Sequence, residues 1–136
     1  MDLVKAMSMA AKGMKAQGVR MKVISENLAN ADTTPSAPGQ DPYRRQVVTF
    51  KNEMDRAEGV RNIEVDRIQS DNSDFLIKYE PNHPAADEQG YIRTPNVNSL
   101  IEMMDMREAQ RSYEANLGVI ETSRSMLTRM VDLLRG

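Results

Sequence analysis

The chain has 136 residues, 40% apolar and 28% charged, with 18 Lys plus Arg against 20 Asp plus Glu, which is one domain's worth of ordinary globular composition. It carries 11 Met, one His, no Trp and no Cys, which excludes a disulfide scaffold, a cysteine nucleophile, a Cys-based zinc site and a multi-His metal centre. A formal charge of −2 argues against a general nucleic-acid binder, which is clearly basic.

The N-terminal segment repeats every 3.5 residues. Leu3, Met7, Ala10, Met14, Gln17, Met21, Ile24, Leu28 and Ala31 alternate steps of four and three, the pattern of a coiled-coil seam. This predicts a helix of about 30 residues and about 45 Å, weakened at Gly13 and Gly18 and stopped by Asp32-Thr33-Thr34-Pro35. No apolar stretch before Lys12 is long enough to cross a bilayer or form a signal-peptide core. The expectation is a chain that stays in the cytoplasm or is exported without a cleaved signal.

Residues 35–96 hold all six Pro, and residues 32–96 carry a net charge of −4. They read as a small insert of short strands and loops. Residues 35–42 are a loop by composition, and Tyr43 to Phe50 is a strand. Lys51 to Gly59 is a polar loop or one helical turn. Ile63 and Val65 mark a second strand reaching to about Ile68, Asp74 to Tyr79 a third, and Tyr91-Ile92-Arg93 a short fourth.

The C-terminal segment is again a heptad helix. Met106, Gln110, Tyr113, Leu117, Ile120, Arg124, Leu127, Val131 and Leu134 alternate steps of four and three, and Met126, Met130 and Leu133 form a second stripe beside them. Ser99 with Glu102 reads as a capping box. The fold expected is therefore mainly α with a small β-rich insert: an N-terminal helix in residues 1–34, the insert in 35–96 and a C-terminal helix in 97–136, the helices paired as a coiled coil. Leu3, Met7, Met14, Met21, Ile24 and Leu28 would form its seam with Tyr113, Leu117, Ile120, Leu127, Val131 and Leu134. Met126, Met130 and Leu133 would contact a neighbouring chain.

Chemistry is sparse. No dinucleotide, Walker, HExxH, EF-hand or nucleophile-elbow pattern occurs. His83 lies in a Pro-flanked turn and reads as a loop histidine. Asp71 with Asp74, and Asp87 with Glu88, read as solvated charge, Arg44-Arg45 as ion-pair partners for acidic neighbours, and the lysines of the first helix as its polar face. No catalytic residue, cofactor or metal is expected.

Three stretches carry a resemblance. Ser25-Glu26-Asn27-Leu28-Ala29-Asn30-Ala31-Asp32-Thr33 resembles the N-terminal signature of the bacterial flagellar axial proteins, the rod and hook family. Glu102-Met103, Met106, Ala109, Arg111 and Tyr113-Glu114-Ala115-Asn116 are similar to that family's C-terminal signature. Tyr79 to Asp87, followed by Gly90-Tyr91 and Pro95-Asn96-Val97-Asn98, is similar to the short proximal-rod type, which the chain length also suits. The likeness covers residues 1–34 and 75–136 well and 51–74 loosely. Where many relatives follow the first motif with Thr-Pro-Gly-Tyr, this chain inserts seven residues between Thr34-Pro35 and Tyr43.

The resemblance implies a structural subunit of the basal-body rod, with the terminal helices building the wall of a hollow helical shaft that transmits torque across the periplasm. It implies export by the flagellar type III apparatus without a cleaved signal peptide. The partners would be further copies, rod subunits of the FlgB, FlgF and FlgG types and a FliE-type adaptor in a helical hetero-oligomer, with no nucleic acid and no membrane insertion. Asn27 and Asn30 would satisfy backbone groups where the first helix ends. The residues alone leave open a different short rod subunit, a freestanding coiled-coil adaptor or secretion chaperone, and a DNA-binding coiled coil.

Overall fold

A computed structural model describes residues 2–136. The elements run α1 (Leu3–Ala29), β1 (Gln46–Asp55), β2 (Val60–Ser70), β3 (Leu76–Tyr79), β4 (Tyr91–Thr94) and α2 (Ser99–Arg135). The chain is thus two long helices around two separate two-stranded sheets, β1–β2 and β3–β4.

Both helices begin on a capping side chain. Asp2 Oδ1 accepts from the Val4 N–H at 3.0 Å. Asn98 Oδ1 accepts from the N–H groups of Leu100 and Ile101 at 3.1 and 3.4 Å, so Asn98 is the cap of α2. The Ser99–Glu102 capping box does not form, because Glu102 turns inward. At the end of α1, the backbone N–H and the side-chain Nδ2 of Asn30 both donate to the Glu26 carbonyl, at 3.1 and 2.8 Å.

The first hairpin is longer than its sequence suggests. Lys51 to Asp55 continues β1 rather than forming a loop or helical turn. An exposed two-stranded ribbon needs no buried apolar face, so its strands carry no apolar alternation to read. Lys51 and Glu53 lie on one face and pair at 3.4 Å, and the nearby Glu53 carboxyl raises the Glu64 pKa above its ordinary value. The turn is closed by Asp55, whose Oδ1 accepts from Ala57 and Glu58 at 3.0 and 3.2 Å, and by Gly59 at φ 70°. A connection this short makes the two strands antiparallel.

In the second hairpin Leu76 opposes Thr94 and Tyr79 opposes Tyr91, and the Tyr79 and Tyr91 rings meet edge to face with centroids 5.1 Å apart. Gly90 has φ 87°, and a Cβ there would stand 2.9 Å from the Tyr79 ring, so only glycine fits. His83 Nδ1 accepts from the Ala85 N–H at 3.0 Å. Its Nε2 therefore carries the proton and donates to Thr34 Oγ1 at 3.1 Å.

The chain divides into two compact units. The first holds residues up to Met21, Val48–Arg67 and Arg107–Gly136. Its centre is built of small residues: Ala10, Ala16 and Ala109 are buried, as are Asn62 and Ser123. A Cβ on Gly13 would lie 2.8 Å from the Asn116 side chain, so glycine here lets α1 and α2 approach closely. Arg20 pairs with Glu108 at 3.6 Å, and Lys12 pairs with Asp55 at 3.2 Å.

The second unit holds Lys22–Val47 and Ile68–Met106. Val23, Ile24, Ala85, Ile92 and Val97 form its apolar centre, and Asn27 and Glu102 are buried among them. In both units α1 and α2 run antiparallel: 13 meets 116 and 20 meets 108 in the first, and 27 meets 102 in the second. No described helix is long and apolar enough to cross a membrane.

Candidate functional site

In the second unit three of the resembling stretches converge on Arg45. Asn27, at the end of α1, is 1% exposed. Its Nδ2 donates to the Gln46 carbonyl at 2.9 Å and to Glu102 Oε2 at 3.4 Å. Its Oδ1 accepts from the Gln46 N–H at 3.0 Å and the Tyr43 hydroxyl at 2.8 Å. The side-chain amide thus pairs with the start of β1 as a neighbouring strand would, and all four of its hydrogen-bonding positions are used. The expectation that Asn27 serves the helix end is corrected: it serves the strand, and Asn30 serves the helix end.

Glu102, also 1% exposed, receives Arg45 Nε on Oε1. Arg45 Nη1 pairs with Asp71 at 3.2 Å and Nη2 lies 3.7 Å from Asp105. Burial works against the guanidinium charge, but the carboxylates of Glu102 and Asp71 outweigh it and hold the Arg45 pKa above its ordinary value. Asp71 is held below the usual carboxylate range, first by the backbone and side-chain donors of Ser73 and then by Arg45. Burial, followed by the nearby Glu26 and Glu102, pushes the Tyr43 hydroxyl up, so it stays a donor to Asn27.

Asn96 completes the lock. Its Oδ1 accepts the Arg45 N–H at 2.8 Å, and its Nδ2 donates to the Asp71 carbonyl at 3.1 Å and Ser73 Oγ at 3.0 Å. Arg44 donates to the Asp71 and Ser73 carbonyls at 3.0 and 3.1 Å and lies 4.1 Å over the Phe75 ring, a cation–π stack. Asp71 is therefore an ion-pair and turn residue, not solvated charge. Asp87 is likewise structural, its Oδ1 accepting from the N–H groups of Gln89 and Tyr91 at 2.9 Å each. The sequence places Asn27, Asn96 and Glu102 in recognisable motifs, but it offers Asp71 only as charge in a polar loop and Tyr43 only as the start of a strand. An arginine pair facing an acidic insert was the one available signal.

The other motif residues have plainer places. Pro95 and Val97 are buried, Leu28, Tyr113 and Asn116 half-buried, and Ala29, Met103, Glu114 and Ala115 exposed. Asn116 Nδ2 donates to the Ser112 carbonyl at 3.0 Å. Along α2, Glu102, Ala109, Asn116 and Ser123 form one heptad row, buried except for the half-buried Asn116. Met106, Tyr113, Ile120 and Leu127 form the adjoining row and are half-covered. Leu117 is 37% exposed, and Val131 and Leu134 are also exposed, as are Met126, Met130 and Leu133, the last at 82%. On α1, Ile24 is buried and Leu3, Met7, Met14, Met21 and Leu28 are half-covered. The single chain thus carries a long apolar stripe on α2 with no cover of its own. Among the described residues no cluster could hold a metal ion.

Two family models match the chain: one described as flagella basal body rod protein, over residues 7–35, and one described as flagellar basal body rod FlgEFG protein C-terminal, over residues 88–133. The chain is 48% identical to the flagellar basal-body rod protein FlgC of Agrobacterium fabrum, over 99% of this chain and 98% of the relative. It is 34% identical to the protein of that name from Salmonella typhimurium, over 98% of each. The Bacillus subtilis protein of that name is 34% identical over 94% of this chain and 95% of the relative.

Proposed function

Because the chain belongs to the FlgC family of flagellar basal-body rod proteins, we propose that it is a structural subunit of the proximal rod. The end-to-end likeness to rod proteins carries this reading. The geometry adds a division of labour: a polar lock around Arg45 fixes the fold of the second unit, and the uncovered stripe of α2 is left for assembly. In this reading α1 and α2 pair as a short antiparallel coiled coil through Met7, Met14, Met21, Tyr113, Ile120 and Leu127. Leu117, Met126, Met130, Val131, Leu133 and Leu134 meet other subunits. Burying such side chains contributes about 1.5–3 kcal/mol each, which is ample for a subunit contact repeated along a shaft.

The neighbours would be further copies and subunits of the FlgB, FlgF and FlgG types, with a FliE-type adaptor at the base. The type III apparatus would deliver the chain, and the rod would cross the periplasm. A helical stack of rigid, many-contact subunits transmits torque without catalysis.

Met130→Asp tests the reading. Met130 is exposed, so its folding free energy should shift by no more than about 0.5 kcal/mol, measured by urea unfolding. In a strain lacking its own subunit of this type, the wild-type chain should restore basal bodies and swimming, and Met130→Asp should restore neither. Normal swimming with Met130→Asp would remove the stripe from the assembly surface.

A further inference from the structure

The first unit contains a cleft of about 350 Å³ lined by α1, α2 and β2, with Met9, Ala10, Gly13, Ile63 and Val119 among its walls. Two acceptors in it are unmatched. Asn62 lines the cleft and is 3% exposed, yet its Oδ1 has no hydrogen-bond partner. Gln17 also lines it, and its buried Oε1 has none either. A buried acceptor without a donor carries its full desolvation cost, so the cleft is complementary to something that brings donors.

The lining restricts what that is. Arg61 is its one charged residue, so a cation would enter with no carboxylate to pair it, and an anion would face two amide oxygens. A neutral donor between apolar groups fits. The wall residue Val119 also stands one heptad before Met126 and two before Leu133. The cleft is therefore continuous with the exposed stripe, and a helix laid along one covers the other. The same stripe offers the matching chemistry, because Ser125 is an exposed hydroxyl next to Met126. The Thr128 hydroxyl, by contrast, already donates to the Arg124 carbonyl at 3.0 Å.

We infer that this cleft is a socket for α2 of a second copy, filled by Met126 with the Ser125 hydroxyl donating its one proton to Asn62 Oδ1. Socket and plug are different patches of one chain, so residue 126 of one copy meets residue 62 of another and the same contact can repeat from copy to copy. The inference rests on the rod reading and names one contact within it.

The absence of cysteine makes the test direct. Ile63→Cys places a thiol at the socket, and Thr122→Cys places one a turn from the plug, leaving Ser125 and Met126 in place. A disulfide forms only where Cα atoms come within about 7 Å. On mixing the two variants and oxidising mildly, mixed 63–122 dimers should outnumber either homodimer at least fivefold. Adding Asn62→Leu to the socket copy, or Ser125→Ala to the plug copy, should cut the mixed yield at least fivefold. Asn62→Leu should also raise the melting temperature of the uncomplexed chain, since it removes an unmatched acceptor. Equal homodimer and mixed yields overturn the socket. So does an unchanged yield with Asn62→Leu, which would mean that water alone serves the acceptors. Cross-links from Leu133→Cys to other rod subunits without any from residue 63 would refute the socket and leave the rod reading intact. Failure of the wild-type chain to enter basal bodies would refute the rod reading itself.

Discussion

Asn27 and Glu102 lie 75 positions apart and are the two most buried polar groups of the second unit. A buried ion pair is seldom a net source of stability, yet removing one partner strands the other. Arg45→Met should therefore cost about 3–5 kcal/mol by leaving Glu102 unpaired. Arg45→Met combined with Glu102→Leu should recover most of that loss, as read from denaturant midpoints of the single and double variants. Asp71 adds a pH dependence. Its folded pKa is depressed, so its contribution is complete above the unfolded value of about 3.9. That contribution is lost as pH falls through the lower folded value. Thermal melts should show an acid limb below about pH 4 that is shallower in Asp71→Asn. Asn27 and Glu102 were legible because they sit in recognisable motifs. Their roles were not, since Asn at a helix end and Glu three residues after Ser each have a common local use. Here both turn to partners far along the chain, which a local reading cannot see.

The helices were legible as elements and less so as surfaces. Alternating steps of four and three ran from Leu3 to Ala31 and from Met106 to Leu134, so they located α1 and the end of α2 but not the first turns of α2. The row of α2 chosen by hydrophobicity mixed positions covered within the chain, such as Ile120, with uncovered ones, such as Leu117. Hydrophobicity reports that a position is buried in the end, not by which chain. The close-contact row of α2 is small and polar instead, with Ala109 fully buried and Asn116 against Gly13. The two helix glycines separate accordingly. A Cβ on Gly18 meets nothing within 4 Å, whereas one on Gly13 meets Asn116. Gly18→Ala should stabilise the chain by up to about 1 kcal/mol. Gly13→Ala should forfeit part of that gain by displacing the Asn116 side chain from the Ser112 carbonyl, and paired chemical denaturation curves would show the difference. The extension of β1 through Lys51–Asp55 was illegible for another reason: a ribbon exposed on its faces leaves no apolar rhythm.

Across the whole chain the apolar content is unevenly covered. The buried set is dominated by Ala, Val and Ile, while Met126, Met130, Val131, Leu133 and Leu134 stand exposed on the last three turns of α2. A helix segment without a packed face is marginal by itself. Backbone amides from about residue 124 onward should therefore exchange within the fastest class in the dilute chain and become protected on assembly, as followed by hydrogen exchange. Slow exchange there in the dilute chain would indicate a cover that the single subunit does not show.

The lock around Arg45 also has a temporal side. Glu102 reaches back 57 positions to Arg45 and 75 to Asn27, and contacts of such separation form late, after the loop entropy between them is lost. In the proposed export, a chain delivered N-terminus first would have Asn27 and Arg45 outside before Glu102. Until then Asn27 would have no carboxylate and Arg45 no buried counter-charge, so the second unit would lack its lock. On that proposal, rigidity would be timed by the last third of the sequence.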